Sequence, residues 1–128
     1  YFQNQKFKNI EIFSKQKDLE KFYSSSSLVL NLSRVDQWVE TFGLTIVEAL
    51  AFGIPVIVPP VGGPIEIVED GIEGFLISSY EIDKLAKKIE ELSNDEMTCI
   101  NLSKNAKEKA LIFSEDLFLE KIQKVVDA

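Results

Sequence analysis

Between Thr41 and Ile65 the chain carries one ionisable side chain, Glu48, in an otherwise largely apolar run. A carboxylate buried there without a partner would be strongly destabilising, so Glu48 must reach water or a hydrogen-bond donor. It is either a ligand-facing group or part of the one wet strip of a helix, beside Thr41 and Thr45. Immediately before it, Glu40-Thr41-Phe42-Gly43-Leu44 leads into the helical run. Glycine at a helix entry lets free backbone amides approach an anion closely, and the helix dipole adds partial positive charge. Gly62-Gly63 sits between a strand end and a short helix and suits either a phosphate cradle or a plain tight turn. Each signal is weak alone. Both loops nevertheless follow predicted strand C-termini, where open α/β sheets place their ligands.

The elements that must position these residues follow from periodicity. Residues 9–13 alternate polar and apolar and predict a strand, and residues 14–25 place Leu19, Phe22 and Tyr23 at helical spacing before a serine run. Residues 28–32 and 55–58 predict short buried strands, with a helix over residues 43–52 between them, ended by Gly53 and Pro55. A helical turn through Val68 and a strand over residues 74–77 come next. Ser78 with Glu81 predicts a capping box for a helix striped by Ile82, Leu85, Ala86 and Ile89. Asn94 is the expected cap of a helix burying Met97, Ile100, Ala106 and Ala110. Ser114 is the expected cap of a last helix, with Phe118, Ile122, Val125 and Val126 at helical spacing. This order predicts an α/β, Rossmann-like three-layer domain with a short, mostly parallel sheet and C-terminal helices.

Composition bounds the function. At 128 residues and 45% hydrophobic the chain can bury a core without staples, and its one cysteine, Cys99, with no histidine excludes a disulfide framework or a Cys/His zinc cluster. No uncharged apolar run reaches the roughly 18 residues of a membrane span. A net charge of −7 argues against nucleic acid as a partner. Residues 31–80 hold one cation, Arg34, against seven carboxylates, so an anion bound there depends on amides and helix termini or on groups elsewhere. A reducing cytoplasm is the simplest home, with membrane-peripheral attachment of a parent protein left open.

Taken together, Asn31-Leu32-Ser33, the segment from Glu40 through Phe42-Gly43-Leu44 and Glu48 to Gly53-Ile54-Pro55-Val56-Ile57, then Gly62-Gly63-Pro64-Ile65-Glu66 and Gly71-Ile72-Glu73-Gly74-Phe75-Leu76 closely resemble the C-terminal donor-binding domain of retaining GT-B glycosyltransferases of the group 1, or family 4, type. The hallmark is two glutamates separated by seven residues, here Glu40 and Glu48, and the likeness covers roughly residues 9–127. The resemblance implies a transferase that moves a sugar from a nucleotide-sugar donor to an acceptor. It assigns Glu40 a catalytic position, and Phe42, Gly43 and Leu44 the donor sugar and phosphate. Glu48 receives the ribose hydroxyls, which suits a carboxylate with two accepting oxygens. Pro59 to Gly63, including Gly62 and Gly63, would lie beside the nucleotide, and Glu66 reads as a helix-entry group. The donor is a substrate; no cofactor and no metal are implied, and no Asp-x-Asp pair is present.

Departures from the family pattern carry equal weight. The Arg and Lys that clamp the donor pyrophosphate in this family come from an upstream strand-helix-strand unit and have no counterpart here. Arg34 is a substitute clamp or a solvated loop arginine, the latter being the expectation, and Trp38 covers the sugar or packs. Residues 1–8 read as a tag remnant and leader, and residues 9–128 as a partial donor-binding domain, inactive alone and lacking the N-terminal acceptor domain. In the doubly wound strand order, residues 9–13 and 28–32 would be separated by two absent strands, leaving an open edge expected to self-associate. The alternative is a non-catalytic α/β binding or signalling module, receiver- or flavodoxin-like, although no lysine lies where a receiver needs one.

Overall fold

Three short apolar segments pair side by side in the computed structural model, which describes residues 8–127. β1 (Val29–Leu30) lies parallel to β2 (Val56–Val58), matching Val29 to Val56 and Leu30 to Ile57. β2 lies parallel to β3 (Gly74–Leu76), matching Val56 to Gly74 and Val58 to Leu76. The order β1-β2-β3 makes β2 central, and its three residues are wholly buried. Successive side chains of a strand point to opposite faces, which divides the core in two. Val56 and Val58 join Ile46, Ala49 and Leu50 of α2 (Leu44–Ala51) and Ile67 of α3 (Pro64–Ile67) on one face. Ile57 joins Ile77, and Leu85, Ile89 and Leu92 of α4 (Ile82–Ser93), on the other. α5 (Glu96–Ala110) gives Ala106 to the first cluster and Leu102 to the second, so it closes both. The three-layer parallel architecture expected from the sequence is the one observed. Among the described residues no helix is long and apolar enough to cross a membrane.

Several expectations are corrected. Residues 9–13 form no strand: an alternating pattern needs a partner edge, and Ile10, Ile12 and Phe13 remain exposed, with Phe13 set edge-on against Phe22 (ring centroids 4.9 Å apart). The helix expected from residue 14 is shorter, α1 (Glu20–Ser25), because Asp18 Oδ1 accepts the Glu20 amide and starts it there. It stops at the serine run as expected, since the Ser24, Ser25 and Ser26 hydroxyls donate back to the carbonyls of Glu20, Lys21 and Phe22. β1 is less buried than its composition suggested, with Leu30 and Leu32 exposed, because among the described residues it pairs with β2 alone.

The Ser78–Glu81 box is half made: Glu81 Oε2 accepts the Ser78 amide, but α4 begins only at Ile82, which is exposed with Ala86. Asp95, not Asn94, caps α5, because its two oxygens accept the amide and the hydroxyl of Thr98. Asn94 instead ends α4, donating to Glu90 O. Met97 and Ile100 face outward, the inner stripe of α5 being Leu102 and Ala106 one turn apart. A 3-10 turn (Leu111–Phe113) leads to α6 (Glu115–Val126), whose Ile122, Val125 and Val126 are exposed, since no element covers that face among the described residues. The Phe118 side chain and residues 1–7, part of the segment read as tag remnant and leader, lie outside the described residues.

Leu50 is fully buried beneath α2 while Leu30 sits on the open edge. Leu50→Ala is expected to cost about 2–5 kcal/mol of stability and Leu30→Ala about 1 kcal/mol or less. Urea denaturation giving equal losses would contradict this placement of the core.

Candidate functional site

The loops that leave the C-terminal ends of β1 and β2 meet. The Gly63 amide donates to Glu40 O at 2.7 Å, and a Cβ on Gly63 would lie 2.4 Å from Thr41 O, closer than any side chain tolerates. A Cβ on Gly62 would lie 2.5 Å from both Glu40 O and Val39 Cγ1. Only glycine allows this approach. Gly43 then turns the chain into α2 with φ 76° and ψ 52°, the left-handed region that glycine enters at no steric cost. The first bond closing the helix runs from the Ile46 amide to Gly43 O (2.9 Å), so the amides of Leu44 and Thr45 are the free donors that a helix start leaves. No side chain caps this terminus. The Glu40 side chain lies over the turn, its Cγ 3.6 Å from where a Gly43 Cβ would stand. Glu40, Gly43, Gly62 and Gly63 are therefore neighbours. Phe42 turns its ring onto Phe113 (6.4 Å, edge-on), which leaves its backbone as the part near the turn.

Glu48 lies one turn beyond Leu44 on α2, half-buried. Its Oε2 accepts the Tyr23 hydroxyl at 2.8 Å, and it lines an open cleft of about 410 Å³ with Lys17, Leu19, Glu20, Tyr23, Ala51 and Phe52. The lone carboxylate is thus both solvent-facing and paired. Glu40 is not among the residues lining that cleft, whose far wall is α1 and the segment before it. Tyr23 has no counterpart in the sequence reading, where it counted only as an apolar helix position; nothing in sequence links it to a glutamate 25 residues on.

Burial, then the hydrogen bond to Glu48 and its charge, push the Tyr23 hydroxyl up from 10.0 to about 12. Arg34 is exposed as a loop arginine. Its guanidinium lies over the Tyr80 ring (5.9 Å), donates to the Tyr80 hydroxyl (3.2 Å) and pairs with Asp36 (3.6 Å). Tyr80 also donates to Asp36, and that hydrogen bond, ahead of Arg34, holds the Asp36 carboxyl below its usual range. With Ser79 Oγ donating to Ser33 O, this cluster ties the loop after β1 to the loop after β3. Glu66 sits in the first turn of α3, as expected of a helix-entry group. Among the described residues no three His, Cys, Asp or Glu side chains group as metal ligands.

A raised tyrosine pKa stabilises the fold while the hydroxyl stays protonated. That contribution is complete below about pH 10 and is lost as pH rises through about 12. The stability difference between the wild-type chain and Tyr23→Phe is therefore expected to shrink across that interval. A difference that stays constant from about pH 9 to 12 in urea titrations would contradict the partly buried, hydrogen-bonded hydroxyl.

The profile of the family described as glycosyl transferases group 1 matches residues 4–109. The chain is 39% identical over 70 residues to a probable sucrose-phosphate synthase of Thermosipho melanesiensis, covering 55% of this chain and 16% of that protein. It is 36% identical over 99 residues to a D-inositol 3-phosphate glycosyltransferase of Mycobacterium marinum, covering 76% and 20%. The fold superposes on HepE of Anabaena, crystallised in complex with UDP, with a TM-score of 0.74 at 29% identity over 88% of this chain and 30% of that one. This chain thus spans between 16% and 30% of these proteins. The receiver-like and flavodoxin-like alternatives fall away. With its short parallel sheet, its glycine-bound loops and its match over most of its length, the chain belongs to the group 1 glycosyl transferases and has the fold of a GT-B C-terminal domain.

Proposed function

We propose that this chain is the donor-binding part of an enzyme that transfers a sugar from a nucleotide-sugar to an acceptor with retention of configuration. The observation that carries the reading is the uncapped start of α2, turned by Gly43 and held against Gly62 and Gly63 at the strand ends. The free amides of Leu44 and Thr45 supply donors and the positive end of a helix dipole to a diphosphate without a lysine. Glu40, beside that turn, is the carboxylate at the reacting sugar. Glu48 accepts from the ribose hydroxyls, and its open side toward the cleft supports that role. Amides fixed before the reaction stabilise charge that develops on the leaving diphosphate. The acceptor site and the basic clamp belong to other parts of the parent protein, and the setting is cytoplasmic, where Cys99 stays reduced. The UDP complex of the similar HepE makes a uridine nucleotide the first donor to try.

The isolated chain is inactive on this reading and binds donor weakly, because residues 31–80 set one arginine against seven carboxylates around the amides. Calorimetry with UDP or UDP-glucose is expected to give a dissociation constant of about 1 mM or weaker. A micromolar constant would contradict the weak-binding account. In the full-length enzyme Glu48→Ala is expected to weaken donor binding by about 1.5–3 kcal/mol. Unchanged affinity would remove Glu48 from the site.

A further inference from the structure

We infer that Tyr23 is a positioning residue for Glu48, its hydroxyl holding the carboxylate in the orientation that receives the donor's ribose diol. The inference rests on the donor-binding reading above. A glutamate on a half-exposed helix face has three side-chain torsions to fix, and each must be fixed before two hydroxyls can be received at once. Tyr23 supplies the restraint. Its hydroxyl donates to Glu48 Oε2 at 2.8 Å and lies 3.5 Å from Thr45 O, one turn earlier on the same helix. Its ring stacks on Phe52 at the end of α2, with centroids 5.4 Å apart and planes 28° from parallel. The phenol is thus a two-torsion arm anchored at one end of α2 and touching the helix again at Thr45 and Glu48.

The chemistry of the restraint suits a site that must still bind. A phenol gives one proton, so Oε1 and the remaining lone pairs of Oε2 stay available to a diol. A lysine or arginine in the same place would bring a full opposite charge and more than one donor, neutralising the carboxylate and occupying oxygens that the ligand needs. A phenol is protonated, and so a donor, across the neutral range in which such a site works. No residue of α1 is fully buried, and the bond to Glu48, the stack on Phe52 and the packing of Tyr23 against the core together seat α1 as a wall of the cleft.

The test compares UDP with 2′,3′-dideoxy-UDP, which lacks the diol, in NMR-monitored titrations of the 128-residue chain. Tyr23→Phe keeps the ring and its stack and removes only the hydroxyl. It is expected to weaken UDP about three- to tenfold and to leave dideoxy-UDP unchanged. In a Glu48→Ala background, which leaves the hydroxyl nothing to hold, the same substitution is expected to add nothing. Equal weakening of both nucleotides would make Tyr23 a wall residue only and overturn the inference. So would a wild-type preference for the diol that survives intact in Tyr23→Phe while Glu48→Ala abolishes it. A wild-type chain with no preference for UDP, or a Glu48→Ala chain with an undiminished one, would overturn the donor-binding reading at Glu48, and the inference with it.

Discussion

The structure depends on one close approach of backbone to backbone. Glu40 O accepts the Gly63 amide at 2.7 Å, and no residue with a Cβ could stand at Gly63, because Thr41 O fills the space. That carbonyl is also the acceptor that the Leu44 amide would use if the helix extended one turn upstream. Gly43, at φ 76°, takes the backbone out of helical geometry before that bond can form, so α2 begins at Leu44 and its first amides have no internal partner. Gly43 creates the terminus, and the loop-to-loop bond fixes it beside Gly62 and Gly63.

The sheet explains why those two loops can meet. β1 and β2 are adjacent and parallel, so the chain leaves both at the same end, and the alternation along β2 clamps α2 on one face and α4 on the other. α2 is held by Ile46, Ala49 and Leu50, all essentially inaccessible. Its opposite face is then free to present Glu48 to α1. Charge works against an anion here: the only arginine is engaged by Asp36 and Tyr80, and carboxylates dominate the middle of the sequence. Within residues 31–80 an anion would therefore meet backbone amides and the α2 dipole rather than side-chain cations, and any cation at the site comes from outside that stretch, as Lys17 does beside Glu48.

How much of this was legible depended on whether a residue's role is set locally. The α2-β2-α3 segment could be read because glycine and proline punctuate apolar runs at lengths that admit only one assignment, and Glu48 stood out as a lone charge. Gly43, Gly62 and Gly63 were found as a type of residue, yet the reason for them, a carbonyl from another loop, is a tertiary contact. Tyr23 was invisible for the same reason. Residues 9–13 have a strand's alternation, but a strand is defined by its neighbour, and none lies beside them among the described residues. The outward faces of α5 and α6 misled because helical spacing of apolar residues marks a stripe without saying what covers it. Met97 and Ile100 lie on such a stripe and are exposed.

The central claim is that the start of α2 and the Gly62-Gly63 loop form one surface that receives a nucleotide's phosphates. The most direct measurement is an amide-resolved NMR titration of the chain with UDP. The account predicts that the Gly43, Leu44, Thr45, Gly62 and Gly63 resonances move together along one binding curve. Those amides remaining still while resonances of α4 or the loop after β3 shift would contradict it.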